Sequence, residues 1–256
     1  MLQKRWKIYN KVTVNKYIIQ QNTIMDIYER QARVYPAIAG TIIPMILTCA
    51  FIFTYLPTEL TNRQWLIRIS TVVPIALIYG SLGYWGRQQF IDISKLLFQY
   101  PLFKQDETNM PTTQLLLWSS PKRKSGQDIK AIARKIKKDF NITLLSEEQE
   151  RENLIEAQKT IVDAVGKIRE VTRGNENLQQ YNRKFGFCRN YLGSCVCSIG
   201  FIIFAIILDS IFDWGFTVIL ISALIIQILL GTLAFGTLKL KGDEYARALF
   251  NAYIAG

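Results

Sequence analysis

Four long stretches without a charged residue constrain this chain more than any other feature of its sequence. They contain 25, 18, 19 and 25 residues and cover 34–58, 69–86, 190–208 and 214–238. A helix needs roughly 20 mainly apolar residues to cross the hydrocarbon core of a bilayer. The second stretch reaches this length with Trp65, Leu66 and Ile67, because the long Arg68 side chain can extend to the membrane surface. The four stretches therefore predict four membrane-spanning helices.

The distribution of cations predicts how these helices are oriented. Residues 1–33 carry seven Lys or Arg against two acidic residues, residues 87–189 carry 19 against 13, and residues 239–256 carry three against two. The only charged residues in the two short turns between paired spans are Glu59, Arg63, Asp209 and Asp213. Because cytoplasmic segments of membrane proteins are enriched in Lys and Arg, we expect both termini and the middle segment to lie in the cytoplasm.

The predicted fold class is an all-α membrane protein in which two transmembrane helical hairpins flank a helical cytoplasmic domain. The segments are a cytoplasmic N-terminal helix (1–33), hairpin 1 (34–86, with helices 34–57 and 65–86), a helical ligand-sensing domain (87–189), hairpin 2 (190–238, with helices 190–208 and 214–238) and a cytoplasmic C-terminal tail (239–256). No stretch alternates apolar and polar residues over a useful strand length.

Helical patterns fill the middle segment. One apolar stripe at helical spacing consists of Ile129, Ile132, Ala133, Ile136 and Phe140. The sequence "SEEQ" at 146–149 fits a capping box, with acidic residues in the first turn of the following helix. A last helix, starting near Asn175, is expected to continue directly into the third span.

The groups that most enzymes need are scarce in this chain. It contains no His, which removes the commonest general base and the commonest metal ligand. It has no Walker-type phosphate loop, and no Asp or Glu lies inside a predicted span. We therefore expect no catalytic residue, no metal site and no cofactor, and a binding or channel function in place of an enzyme.

Cations mixed with aromatic rings give the strongest indication of a ligand. The candidate ligand-binding residues are Lys122, Arg123, Arg169, Arg173, Arg183, Lys184 and Arg189, with Thr112 and Thr113 at a possible helix start. Arg binds phosphate through two hydrogen bonds, and rings such as Tyr181, Phe185 and Phe187 stack on nucleobases. The simpler interpretation is that juxtamembrane cations only set the topology and contact anionic lipid. Both interpretations stay open for the last three cations, whereas "KIKK" at 135–138 is typical of a solvated helix face.

Polar residues inside the predicted spans are few, and Gln227 in the fourth span is the most polar of them. Ser81 and Ser198 belong to small-residue faces of the second and third spans. Such faces usually allow close helix packing. A pore lining, built from several copies around an axis, is the alternative for Ser81, Ser198 and Gln227.

Four short motifs lie within the predicted order of two spans, a helical cytoplasmic domain and two further spans. "IIQQN" and "ERQARVY" precede the first span, "MPTTQLLLW" lies early in the middle domain, and "FGFCRNYLG" enters the third span. The combination resembles the SMODS-associating four-transmembrane effectors of bacterial antiphage defence, including those of the Hailong system. The resemblance implies a pore-forming effector controlled by a nucleotide or short single-stranded DNA, which a nucleotidyltransferase partner encoded nearby makes. It implies a ligand region that includes Thr112, Thr113, Arg183, Lys184 and Arg189.

The expected function is thus a gated pore of the bacterial inner (cytoplasmic) membrane that depolarises the cell in abortive infection. The protein is expected to be multi-pass in the lipid bilayer, with both termini cytoplasmic. A homo-oligomer is expected, with a tetramer favoured, because one four-span protomer is too small to enclose an ion path. The alternative is a non-conducting, membrane-anchored scaffold or sensor that recruits a partner through its basic helical domain. Whether the ligand opens or closes the pore is open at this point.

Overall fold

The computed structural model describes residues 27–55, 64–103 and 107–256, without the side chains of Tyr55 and of residues 64–69. Most of the predicted N-terminal helix, the turn of hairpin 1 and the Arg68 side chain lie outside these residues. The described chain is 86% helical and contains no strand. This confirms the all-α class.

The described residues form eight α-helices of four or more residues. They are α1 (Tyr35–Tyr55), α2 (Gln64–Ser94), α3 (Pro111–Gln114), α4 (Gly126–Phe140), α5 (Glu147–Glu152), α6 (Leu154–Val171), α7 (Glu176–Phe212) and α8 (Thr217–Ala255). A π-helical segment, Glu29–Val34, leads into α1, and another, Lys95–Gln99, follows α2. The expected start of a helix near Asn175, running on into the third span, is confirmed by α7.

Three helices are long and apolar enough to cross a membrane, and they confirm a membrane-spanning protein. They are Glu29–Thr54, α7 and α8. The predicted second span, 65–86, falls within α2 and is not among the three. The side chains of residues 64–69, at the start of this helix, lie outside the description. The fourth span, and with it the arrangement as two hairpins, therefore stays a prediction.

The chain divides into two compact units. Among the described residues, the first unit comprises 27–31, 107–184 and 241–256, and the second comprises 32–55, 64–103 and 185–240. Both differ in extent from the predicted segments, because 87–103 and 185–189 group with the second unit and not with the rest of the expected domain 87–189. The helices α7 and α8 contribute residues to both units.

The core of the first unit is assembled from α4, α6 and the end of α8. The predicted stripe on α4 is confirmed, since Ile129, Ile132 and Ile136 are almost fully buried. The structure differs from the prediction at residues 239–256, which were expected to be a tail. There α8 continues without a break, and Ala246, Leu249, Phe250 and Tyr253 enter the core cluster. Their spacing places all four on one helix face, so burying that face stabilises the last turns.

Small residues bring helices of the second unit into close contact. Gly193 of α7 lies against the backbone of Phe90 in α2, and Gly40 of α1 lies against Ser194. The Ser194 hydroxyl donates a hydrogen bond to the Pro36 carbonyl at 2.9 Å. These contacts agree with the small-residue packing expected of membrane helices.

Candidate functional site

The first unit contains a cavity of about 730 Å³ between α4, α5 and α6. We call it the Trp118 pocket. It is lined by Leu116, Trp118, Ile129, Lys130, Ala133, Arg134, Leu144, Leu145, Ser146, Glu147, Glu148, Gln149, Glu150, Ala157 and Ile161. Aliphatic side chains, an indole ring, two cations and several carboxylates therefore face one cavity that is open to solvent on one side. Sites of this volume and mixed character are typical of small-ligand binding.

A buried carboxylate fixes the wall that carries Trp118. The Glu150 side chain is only 2% exposed. Its two oxygens accept hydrogen bonds from the backbone N–H groups of Trp118 at 3.0 Å and Ser119 at 2.8 Å. The indole Nε1 of Trp118 donates to the Leu145 carbonyl at 3.4 Å. Hydrogen bonds thus fix both the backbone of Trp118 and the edge of its indole ring.

The capping box predicted at 146–149 is confirmed and places the acidic rim of the pocket. The Ser146 hydroxyl accepts from the Gln149 N–H at 3.3 Å, and the Gln149 side chain accepts from the Ser146 N–H at 3.0 Å. Glu147 and Glu148 follow in the first turn, where negative charge suits the helix dipole. Glu147 also pairs with Arg151 at 2.8 Å.

A basic rim belongs to α4. Lys130 and Arg134 are four residues apart, so both point to the same side of the helix, and both line the pocket. Each is exposed, and neither forms a salt bridge within the part of the chain that the structure describes. The pocket therefore has cations from α4 and carboxylates from α5 around an apolar floor.

The structure buries the two threonines that were predicted to contact the ligand. Thr112 and Thr113 are 3% and 1% exposed. The Thr113 hydroxyl donates to the Glu107 carbonyl at 2.8 Å, and the N–H groups of Thr113 and Gln114 both donate to Met110. The helix α3 has four residues, and these Thr113 and Gln114 groups already bond to the turn that precedes it. We therefore leave Thr112 and Thr113 out of the proposed contact surface.

Two other predicted residues make contacts within the first unit. The Lys122 ammonium pairs with Asp243 at 2.6 Å. The Arg123 guanidinium donates to the Trp118 carbonyl at 2.6 Å and lies 6.0 Å from the indole centre. Beside them, burial lowers the pKa of the Lys124 ammonium, an effect that Asp128 opposes. Lys122 and Arg123 thus support the segment that carries Trp118.

The remaining predicted cations of the first unit differ in exposure. Arg169 is half-buried, and a side-chain hydrogen bond joins it to Tyr245. Arg173 and Lys184 are exposed, and Arg183 is half-buried. The Lys184 ammonium lies 5.6 Å from the centre of the Tyr181 ring. Arg173, Arg183 and Lys184 form no salt bridge in the described part of the chain, so they stay candidates for ligand contact.

Arg189 belongs to the second unit and is part of a polar network there. Its guanidinium donates to Gln99 at 3.1 Å and to Asn190 at 3.0 Å. Its carbonyl accepts a short hydrogen bond from Ser94, and the buried Asn190 amide donates to the Ala32 carbonyl. This network ties α7 to α2 and to the segment before α1. We therefore regard Arg189 as a packing residue, in contrast to the predicted ligand role.

The three polar residues predicted for a pore or for packing differ in environment. Ser81 is exposed on α2, whereas Ser198 and Gln227 are buried at 4% and 1% exposure. The Ser198 hydroxyl and the Gln227 amide nitrogen have no hydrogen-bond partner among the described residues. Burial of Ser198 and Gln227 agrees with the packing interpretation, and the pore lining stays a prediction.

Sequence reasoning did not find the Trp118 pocket. It interpreted only "KIKK" of α4 as a solvated helix face and the acidic residues of α5 as the start of a helix, and it assigned no role to Trp118. One signal was present, because Trp118 is the only Trp between Trp85 and Trp214. The pairing of Glu150 with a segment 31 and 32 residues away had no signal along the chain.

Comparison with known proteins gives no match. No protein-family model, curated protein or solved structure is similar to this chain at a significant level.

Proposed function

We propose that this protein is a pore-forming effector of the bacterial inner membrane in an antiphage defence system. Its gate responds to a nucleotide or short DNA oligomer made by a partner nucleotidyltransferase, and its opening depolarises the membrane and aborts infection. The observation that carries the proposal is that two membrane-spanning helices, α7 and α8, also supply residues to a helical unit with a ligand-sized pocket. The motif resemblance described above supports the same function.

Ligand control requires a difference in affinity between two states. A ligand shifts a conformational equilibrium only by as much as it binds one state more tightly than the other. In this proposal the ligand binds the first unit, placed in the cytoplasm by the excess of Lys and Arg. A change there reaches the bilayer along α7, whose residues 176–184 belong to the first unit and whose remainder belongs to the second.

The conducting form in this proposal is a homo-oligomer, with four copies as the favoured number. One protomer supplies too few helices to surround a water-filled path, so an axis between copies must provide it. Several large apolar side chains on α8, among them Val218, Leu229 and Leu233, are at least 58% exposed in the single chain. These side chains suit contact with lipid and with further copies.

Ion flux from liposomes that contain the full-length protein tests the proposal directly. We expect flux to change with one ligand class among cyclic dinucleotides, cyclic trinucleotides and short DNA oligomers. The double variant Arg183→Glu/Lys184→Glu is expected to lose at least about tenfold in ligand sensitivity, because phosphate contacts from cations are charge-assisted. Lys137→Glu/Lys138→Glu makes the same charge change on α4 outside the pocket and is expected to respond like the unchanged protein.

A silent result has a defined meaning. If the protein is folded and correctly inserted but passes no ions with any ligand, the pore proposal fails. The membrane-anchored scaffold then takes its place, for which the exposed apolar pair Leu154 and Ile155 at the start of α6 provides a contact surface. Equal responses of the two double variants would remove Arg183 and Lys184 from the ligand site.

A further inference from the structure

The Trp118 pocket has the size and the separate chemical surfaces that a single nucleotide needs. Its volume of about 730 Å³ lies inside the range of roughly 300–1,000 Å³ that small-ligand sites occupy. Its floor is aliphatic, with Leu116, Ala133 and Leu144 among the lining residues. Both faces of a flat heterocycle can therefore contact apolar side chains when it is buried here.

Trp118 is prepared to stack on such a ring. Its indole is partly exposed, lines the pocket, and is fixed by the hydrogen bond from Nε1 to Leu145. The Glu150 carboxylate holds the backbone of Trp118 and of the next residue. Because the ring is already positioned, little conformational freedom is lost when a ligand stacks on it. Stacking on aromatic side chains is the usual way in which proteins hold unpaired bases.

The basic rim suits the phosphate. Lys130 and Arg134 supply two positive charges from one face of α4, and neither is neutralised by a salt bridge in the described residues. Arg can bind a phosphate through two parallel hydrogen bonds, and Lys adds a mobile point charge. Arg134 Nε donates to the Lys130 carbonyl at 3.4 Å, so an anion at this rim meets the Lys130 ammonium and the terminal nitrogens of the Arg134 guanidinium.

The acidic rim suits the edge of a base that carries hydrogen-bond donors. An ionised carboxylate only accepts hydrogen bonds, so it attracts amino groups and repels carbonyl oxygens. Glu148 is the more available of the two exposed carboxylates, because Glu147 pairs with Arg151 whereas Glu148, among the described residues, accepts a hydrogen bond only from the Ser146 hydroxyl at 3.3 Å. Guanine presents two adjacent N–H donors to one carboxylate, adenine and cytosine present one amino group, and thymine presents no amino group, only a ring N–H between two carbonyl oxygens that the carboxylate repels.

We infer that the Trp118 pocket binds one nucleotide residue, with its base between Trp118 and the aliphatic floor and its phosphate at Lys130 and Arg134. Glu148 makes the pocket favour amino-bearing bases, with guanine first and thymine last. The biological source of this nucleotide rests on the proposed function, but the binding itself does not. The site is separate from the cations Arg183 and Lys184 of α7.

Calorimetric titration of the full-length protein in detergent tests this assignment. The probes are dGMP, dAMP, dCMP and dTMP, with inorganic phosphate as a fifth ligand. We expect dGMP to bind tightest and dTMP at least about tenfold more weakly, the size of one hydrogen bond to a charged group. Phosphate alone is expected to bind more weakly than every nucleotide, because it cannot stack on Trp118.

Variants on the same helices separate the pocket from general charge effects. Lys130→Glu/Arg134→Glu is expected to weaken dGMP binding by at least about tenfold, whereas Lys137→Glu/Lys138→Glu, also on α4, leaves it within about twofold, as expected of screened surface charges. Glu148→Gln is expected to abolish the preference for dGMP over dTMP, and Glu152→Gln of the same helix to preserve it. Thermal unfolding of each variant confirms that it is folded.

Each outcome decides the assignment. Absence of binding by all four nucleotides to the folded protein overturns it and leaves a peptide or protein segment as the occupant. Equal losses in the two charge-reversed variants overturn it as well. Binding with the expected base order, together with silent liposomes, would retain the pocket assignment and reject the pore. Gated flux from liposomes, together with absence of nucleotide binding to the pocket, would retain the pore and reject the pocket assignment.

Discussion

Replacing Glu150 by alanine is expected to lower the free energy of unfolding of the first unit by about 3 kcal/mol. The carboxylate is 2% exposed and accepts from two backbone N–H groups, those of Trp118 and Ser119. Alanine removes both charge-assisted hydrogen bonds and leaves two donors without their acceptor. Glu150→Gln keeps one acceptor oxygen, so its free energy of unfolding should lie between those of the unchanged protein and of Glu150→Ala. Glu150→Ala also releases the backbone of Trp118, so we expect this variant both to bind nucleotide more weakly in the pocket and to be less stable.

Hydrogen exchange measured by mass spectrometry locates this effect. We expect peptides that contain Trp118 and Ser119 to exchange faster in Glu150→Ala, while peptides from α1 and the membrane part of α7 stay unchanged. Glu152→Ala is the matched control, since Glu152 is exposed on the same short helix. If both alanine variants unfold alike in urea, the buried carboxylate does not hold the pocket wall.

Replacing Gly193 by alanine is expected to destabilise the second unit by about 3 kcal/mol, the upper part of the range for overpacked cores. A Cβ atom at this position would lie against the backbone oxygen and carbonyl carbon of Phe90, closer than side-chain atoms approach in real structures. Backbone atoms cannot rotate aside as a flexible side chain can. The helices α2 and α7 must therefore separate, and the hydrogen bond from Ser94 to the Arg189 carbonyl is lost with the contact.

The same helix provides the control for this substitution. A Cβ atom at Gly200 would meet no atom within 4 Å, so Gly200→Ala is expected to change stability by less than about 1 kcal/mol, through helix propensity alone. Thermal unfolding in detergent, followed by size-exclusion chromatography, compares the two variants. Equal melting temperatures for Gly193→Ala and Gly200→Ala would contradict the close packing of α2 and α7.

Arg189 shows how local chemistry misled the interpretation of a residue. Its position among cations and aromatic rings suggested a phosphate ligand, yet Gln99 and Asn190 occupy its guanidinium. Gln99 lies 90 residues earlier in the chain, so no local pattern could have indicated this partner. The burial of Thr112 and Thr113 was also outside the reach of local patterns, because burial depends on which elements cover a helix start.

The sequence by itself determined the properties that depend on neighbours along the chain. Charge-free stretches indicated membrane helices, the stripe of α4 indicated its buried face, and "SEEQ" indicated the start of α5, since hydropathy, helical period and capping all act within a few turns. Only the tertiary structure decided which distant groups meet. It placed the end of α8 in the core of the first unit, joined Glu150 to Trp118 and enclosed the pocket. The physical reason is that packing and burial arise from contacts between segments far apart in sequence, and no local pattern specifies their partners.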